Sequence, residues 1–287
     1  MKAEHNQRTR VCVCADDFGM HSGVNEAALR LADLGRVHAI GALVGAPAWS
    51  SGWSALRHLP AATCDIGLHL DLTEFPLLEG TRRPLGRLIA LGLLHRIDRV
   101  GVRAEIRAQL DAFESALGRG PVFVDGHQHV HQLPGIRDEL LIELRHRYSD
   151  HLPWIRCTRG AARAAAGWSS RIKASVIERL GAEALADAAQ RNGFLQNRAL
   201  LGVYDFAGDD ARYETLLRDW LRSARDGDLL MCHPGRRSAP DDPIAKARAT
   251  EDRVLSSPAF ECLLAECAVS LHPMSTILDR NHDACPR

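Results

Sequence analysis

Short apolar runs alternate along this chain with longer segments whose apolar residues recur every three or four positions. Val11–Ala15 is the first short run. Val24, Ala27, Ala28 and Leu31 then share one face of a helix that Ser22 can cap and Gly35 can end. Val37–Val44 and Ile66–Leu70 read as the second and third strands. A helix over Val100–Leu117 follows, with Ile106, Leu110, Phe113 and Leu117 in register and Gly118, Gly120 and Pro121 at its end. Val122–Asp125 reads as strand, and Pro134 opens a helix bearing Leu140, Leu141 and Leu144. Further on, Trp154–Thr158 is strand-like and a helix runs from about Arg171 to Gln190. A short strand lies near Leu200–Val203, Tyr213–Ser223 is helical, Asp228–Cys232 is a buried strand, and Ile244–Cys267 is helical.

Strands alternating with helices imply parallel pairing through right-handed crossovers. Seven or so units in one chain fit a barrel related to the (β/α)₈ type better than a small doubly wound sheet. No internal repeat or linker divides the chain, so the pattern predicts one domain over residues 11–272. Residues 1–10 read as a disordered tail and 273–287 as a polar, loosely held one. Residues 75–99 interrupt the rhythm with Pro76, Gly80, Pro84 and several arginines, and read equally as a substrate loop or as a surface excursion.

Composition narrows the function. The 287 residues carry a formal net charge of zero, which argues against a nucleic-acid partner. No run approaches the roughly 20 apolar residues of a membrane span. The N-terminus lacks the apolar core of a signal peptide, so the expected location is the cytoplasm. The eight cysteines form no C-x-x-C pair. Cys12, Cys14, Cys157 and Cys232 sit in apolar runs and read as reduced core thiols.

Histidine and aspartate gather just after the strands. The first strand ends in Asp16-Asp17-Phe18-Gly19, the third in His69-Leu70-Asp71, and the fourth runs into Asp125-Gly126-His127-Gln128-His129-Val130-His131. The fifth ends near Arg156 and Arg159, and the seventh in His233-Pro234-Gly235. In parallel α/β folds these ends share one face, where active sites form.

Asp16-Asp17 reads either as a turn or as a metal site in which one carboxylate ligates and the other accepts a proton. His69 alone in a strand is a core histidine. Beside Asp17 and His127 it becomes a ligand, and one Asp with two His leaves positions open for water and substrate. In an extended histidine run His127, His129 and His131 face one way, whereas a helical run pairs His127 with His131, which makes His131 a rival ligand. The remaining histidines, with Asp125, are left to orient ligands or touch substrate. His233 reads as a loop histidine or as a general acid. Arg156 reads as a structural ion-pair partner or as the group that holds the substrate or a catalytic Asp.

Taken together and in order, the motifs Ala15–Gly19, Gly67–Leu70, Asp125–His131 with Pro134, and His233–Gly235 resemble the YdjC/ChbG-type carbohydrate deacetylases, which include hopanoid-associated members. The resemblance covers about residues 11–235. It implies a distorted (β/α) barrel, with Asp16 as general base, Asp17, His69 and His127 holding one divalent ion (Mg or Zn), and His233 as general acid. The implied substrate is an N-acetylated sugar, hydrolysed with release of acetate, and a homodimer is common in the family. Where the family's run usually reads Asp-Ser-His, Gly126 replaces the Ser. Two other readings stand beside this one. A glycoside hydrolase would set Asp16 and Asp125 across a sugar, leaving the histidines unused. A non-catalytic sugar- or metal-binding protein would need neither Asp16 nor His233.

Overall fold

The computed structural model describes residues 8–160, 178–236 and 241–283. Its strands are β1 (Thr9–Phe18), β2 (Ala39–Ala42), β3 (Asp65–Leu70), β4 (Phe123–Gly126), β5 (Trp154–Ile155), β6 (Leu200–Leu201), β7 (Asp228–Cys232) and β8 (Val269–Leu271). Helices α1 (Ser22–Asp33), α2 (Trp49–His58), α3 (Leu85–Leu93), α4 (Arg99–Leu117) and α5 (Ile136–Arg147) fall between the first five strands. Then come α6 (Glu183–Arg191), α7 (Asp210–Ser223), α8 (Ala245–Leu255), α9 (Pro258–Glu266) and α10 (Met274–Asp283). The first part of the helix expected from Arg171 lies outside the described residues.

Every strand pairing is parallel, in the order β5-β4-β3-β2-β1-β7-β6, with β8 beside the start of β1. Read as a ring, the first seven strands follow chain order, with a seam between β5 and β6. Single bonds bridge that seam: Ile155 pairs with Gln196, and the Asn197 amide accepts the Cys157 N–H at 2.7 Å and donates to the Cys157 carbonyl at 2.9 Å. This is the distorted (β/α) barrel expected. In β1, Val11, Val13 and Ala15 pack into the main helix-covered core. Cys12 and Cys14 face the other way, against Phe123, Leu229 and Met231. Burial on both faces explains the unbroken apolar run. Cys12, Cys14, Cys157 and Cys232 are buried and free.

Four expectations about element ends are corrected. The helical stretch after residue 244 is two helices, because Pro258 cannot continue the first and instead opens the second, with the Ser257 hydroxyl accepting the Phe260 N–H at 3.3 Å. Helix α1 begins at Ser22, but His21 holds the cap position and no side chain caps it. At the N-terminus, β1 starts at Thr9, whose partner is Val269, so ordered structure reaches into the expected tail; residues 1–7 lie outside the described set. Residues 273–283 are not a loose tail, since Met274 and Ile277 are fully buried; residues 284–287 of the expected tail lie outside the described set. Ser275 donates its hydroxyl and N–H to the Asp65 carboxylate at 2.6 and 2.9 Å, and Asp65 also accepts the Trp154 indole N–H at 3.1 Å. Residues 75–99 are not a bare excursion either: they hold α3, which borders the cavity described next.

Candidate active site

The end of β1 is irregular, and that irregularity separates the two aspartates. Ala15 pairs with Ile40 and Phe18 with Ala42, so β1 carries one extra residue over this step. Such a bulge re-aims side chains. Asp17 takes a left-handed conformation (φ 67°), which Asp tolerates better than most residues. Gly19 completes the turn at φ 102°, where a Cβ would lie 2.6 Å from the Leu43 carbonyl oxygen. Asp16 and Asp17 therefore enter different networks although they are neighbours in sequence.

Asp17 meets the histidines. The His127 Nδ1–H donates to its Oδ1 at 2.9 Å, and His69 Nε2 lies 3.4 Å from the same oxygen. Its Oδ2 accepts from Arg248 at 2.8 Å. Burial alone would favour the neutral acid, but the charges of Arg248 and His127 and the histidine hydrogen bonds hold the carboxyl well below its usual range. His69 gives its Nδ1–H to Asp125 Oδ1 at 2.7 Å, which turns Nε2 toward Asp17. Asp17, His69 and His127 each offer one ligand atom within 4.8 Å of the others. One carboxylate oxygen and two imidazole nitrogens, already oriented by other contacts, suit a divalent cation.

Asp16 belongs to the other network. Arg156, fully buried, grips it with two nitrogens at 2.5 and 2.6 Å. The same guanidinium reaches Asp125 Oδ2 at 2.6 Å and Cys14 Sγ at 2.9 Å. Arg156 thus pairs with two aspartates, Asp16 and Asp125, and does not line the cavity. Cys14, Asp16 and Asp125 also offer clustered ligand atoms, but Arg156 already supplies the positive charge there. Asp125 thus links the networks, hydrogen-bonded to His69 on one side and ion-paired with Arg156 on the other.

The histidine run is neither extended nor a regular helix. It forms a 3₁₀ segment, His127–Gln132, broken by left-handed Gln128 (φ 52°) and His129 (φ 59°). The break sends the three rings to different places. His127 joins Asp17, and half-buried His129 lines the cavity. His131 is fully buried, with Nε2 3.1 Å from the Arg156 carbonyl. It is neither grouped with Asp17 nor among the cavity-lining residues. Burial first, then the nearby Arg156 and His69 charges, lower the His131 pKa to about 4 against the pull of Asp125. Its ring rests on Gly126, where a Cβ would lie 2.9 Å from the His131 backbone nitrogen and 3.0 Å from its ring Nδ1. A serine at position 126 would crowd that ring, so the glycine and this placement of His131 go together.

His233 follows β7 and lines the same cavity. Its Nδ1 is buried without a hydrogen-bond partner among the described residues. Desolvation lowers its pKa to about 4, outweighing the pull of Asp17 and Asp16. Its backbone N–H is held by Glu251 Oε2 at 2.6 Å, and the Tyr204 hydroxyl donates to Oε1 at 2.6 Å. Burial raises Glu251 to about 7 despite those bonds. Arg248, one turn earlier on α8, connects Asp17 to Asp242, reaching the latter at 2.6 Å. Sequence reading missed Arg248, Glu251 and Asp242. A signal existed: Arg248 and Glu251 interrupt the apolar face of α8 at helical spacing beside Ala247, Val254 and Leu255. Glu74 was missed too. The Asp71 carboxylate organises its loop by accepting the N–H groups of Thr73, Glu74 and Phe75. This places Glu74 Oε1 3.3 Å from His127 Nε2.

These groups surround a cavity of about 870 Å³. Asp16, Asp17, His69, His127, His129 and His233 all line it. Asp125 does not, and it shares one guanidinium with Asp16. The glycoside-hydrolase reading needs both carboxylates facing the substrate, and Asp125 does not face this cavity.

A parallel barrel that gathers an Asp-His-His group and a separate Asp and His at its carboxyl strand ends belongs to the α/β barrel class that carries its active sites on that face. The chain belongs to the family described as YdjC-like protein, whose model matches residues 10–266. It is 30% identical to the mouse carbohydrate deacetylase, over 92% of this chain and 93% of the relative. To the chitooligosaccharide deacetylase of Salmonella heidelberg (strain SL476) it is 28% identical, over 88% of this chain and 93% of the relative. A solved Enterococcus faecalis V583 protein, named for cellobiose-phosphate cleavage, superposes with a TM-score of 0.68 at 20% identity, over 94% of this chain and 99% of the other. That last likeness concerns the fold. No helix among the described residues is long and apolar enough to cross a membrane.

Proposed function

We propose that this protein is a divalent-metal-dependent N-deacetylase that hydrolyses the acetamide of an N-acetylated amino sugar and releases acetate. The observation that carries the reading is the separation of roles around one cavity: Asp17, His69 and His127 grouped for a cation, with Asp16 and His233 left outside that group. The names of the curated relatives supply the substrate class. A cation held by Asp17, His69 and His127 supplies Lewis-acid polarisation of the acetyl carbonyl and acidifies water. Asp16, fixed by the Arg156 fork, takes a proton from the attacking water. His69 stays oriented because Asp125 holds its other nitrogen. His233, anchored through its backbone by Glu251, presents its side chain to the departing amine. It rests neutral, so the proton that reaches the amine nitrogen as the carbon–nitrogen bond breaks is the one Asp16 took from water, passed on through His233. Mg and Zn are the two ions proposed.

The reading is tested by incubating the protein with a panel of N-acetylated sugars and assaying free acetate alongside new reducing ends. Acetate without new reducing ends is expected, and lost on chelation. New reducing ends without acetate would sink the deacetylase reading, and binding without turnover would favour a non-catalytic binder.

Metal uptake should also be proton-linked. Burial opposes charge on both rings, but Asp17 raises His127 to about 9, and Asp125 with Asp16 lifts His69 well above its usual value. Both are elevated histidines, protonated below those values, and a cation must displace the protons. Apparent affinity therefore climbs as pH rises from 6 toward 9. Calorimetric titration of Zn in buffers of different ionisation enthalpy should show about one to two protons released near pH 7. Uptake without proton release would contradict the ligand assignment.

A further inference from the structure

Helix α3 has two very different sides. Leu85 and Ile89 line the cavity, and Leu88 and Gly92 are buried against the body of the protein. The outward side is almost as apolar. Ala90 is exposed, and Leu93 and the following Leu94 are 60% and 64% exposed. The only polar side chain in the helix is Arg87. A helix that is apolar all round is normally buried, yet no described residue covers this side. Exposed Leu77, Leu78 and Val100 add to the apolar surface of the same segment, and Leu78 and Val100 border one shallow groove. The other strongly exposed apolar residues, Leu34, Ile142 and Leu195, are scattered singly through the sequence, which is ordinary for a soluble surface.

Charge says what covers it. From Leu77 to Val100 the chain holds four arginines outside any described ion pair, Arg82, Arg83, Arg87 and Arg96, beside Arg99, which pairs with Glu139, and two acidic residues, Glu79 and Asp98, in a protein of zero net charge. Arg82 and Arg83 donate only to backbone carbonyls. None of the four makes an ion pair with a described residue. Consecutive exposed leucines flanked by unpaired arginines match the two layers of an anionic membrane surface, acyl chains beneath and phosphates above. A second copy of this face would set four unpaired arginines against four more, and a neutral partner would leave them unanswered.

We propose that the outer face of α3, with Arg82, Arg83, Arg87 and Arg96 around it, docks on an anionic lipid surface. Docking there sets the cavity behind α3, within about the 10–12 Å thickness of one helix of the headgroups. The surface shares no residue with the metal group, Asp16 or His233, so the docking proposal and the deacetylase reading can fail separately.

The test is cosedimentation of the full-length protein with vesicles of phosphatidylcholine, alone or with roughly one-third phosphatidylglycerol. Binding is expected only to the anionic vesicles, and it should weaken steeply in high salt. A Leu93→Asp/Leu94→Asp variant should lose it at least tenfold, and Arg87→Gln or Arg96→Gln about fivefold each. All of these positions are exposed, so the variants should keep the wild-type circular dichroism spectrum. Three results would overturn the proposal: no binding to anionic vesicles, equal binding to neutral ones, or unchanged binding by the Leu93→Asp/Leu94→Asp variant. A wild-type dimer that this double variant makes monomeric, with no vesicle binding by either, would assign the face to a second copy instead.

Discussion

Arg156→Met is expected to destabilise the protein by about 3–5 kcal/mol, the usual cost of removing one partner from a buried ion pair. The guanidinium is fully buried and is held by two carboxylates, Asp16 and Asp125. Methionine fills much of the space but leaves both acids without their cation. Asp125 shows what is at stake. Burial works to raise its pKa, yet the charges of Arg156 and His69 bring it below the ordinary value. A depressed carboxylate contributes stability above its unfolded pKa and loses it as pH falls through the folded value. The wild type therefore loses this contribution in acid. In Arg156→Met the buried Asp125 becomes harder to ionise and protonates at higher pH. The deficit relative to wild type should be largest near pH 7–8 and shrink as pH is lowered. Urea midpoints at several pH values measure it. A variant as stable as wild type at pH 7 would show that the guanidinium does not compensate the two acids.

The second large effect separates the adjacent aspartates. Asp16→Asn should keep its metal and lower the rate of acetate release by about 10²–10⁴-fold, the usual contribution of a positioned proton acceptor. Folding should survive, because Arg156 retains Asp125. Asp17→Asn should lose both metal and activity, since Oδ1 faces both histidines. Metal content measured beside kcat distinguishes the two. Equal metal loss in both variants would mean that the bulge does not divide their roles.

Much of this arrangement was legible in the chain. The βα rhythm predicted a parallel barrel, and the rule that polar residues collect at carboxyl strand ends brought Asp17, His69, His127 and His233 to one cavity. Less visible was how Asp16 and Asp17 part company, because a bulge depends on the register with β2 and leaves no local pattern. The left-handed pair Gln128-His129 was hidden for a similar reason. Extended and helical backbones were the two alternatives for that run, and a break between them sends His131 away from Asp17, His69 and His127. Arg248 and Glu251 escaped because charged residues on a helix ordinarily face water; here each has a buried partner, Asp17 or the His233 N–H. The C-terminal helix escaped because a few apolar residues, Met274, Ile277 and Leu278, anchor it within a polar stretch. Its hold on the barrel comes from Ser275 and Asp65, which lie far apart in sequence.

The most direct measurement pairs bound metal with acetate release in one preparation of wild type and His127→Ala. Wild type should hold about one divalent ion per chain, lose activity on chelation and regain it when metal is restored, while His127→Ala should lack both ion and activity. Full acetate release from metal-free His127→Ala would contradict the assignment of Asp17, His69 and His127.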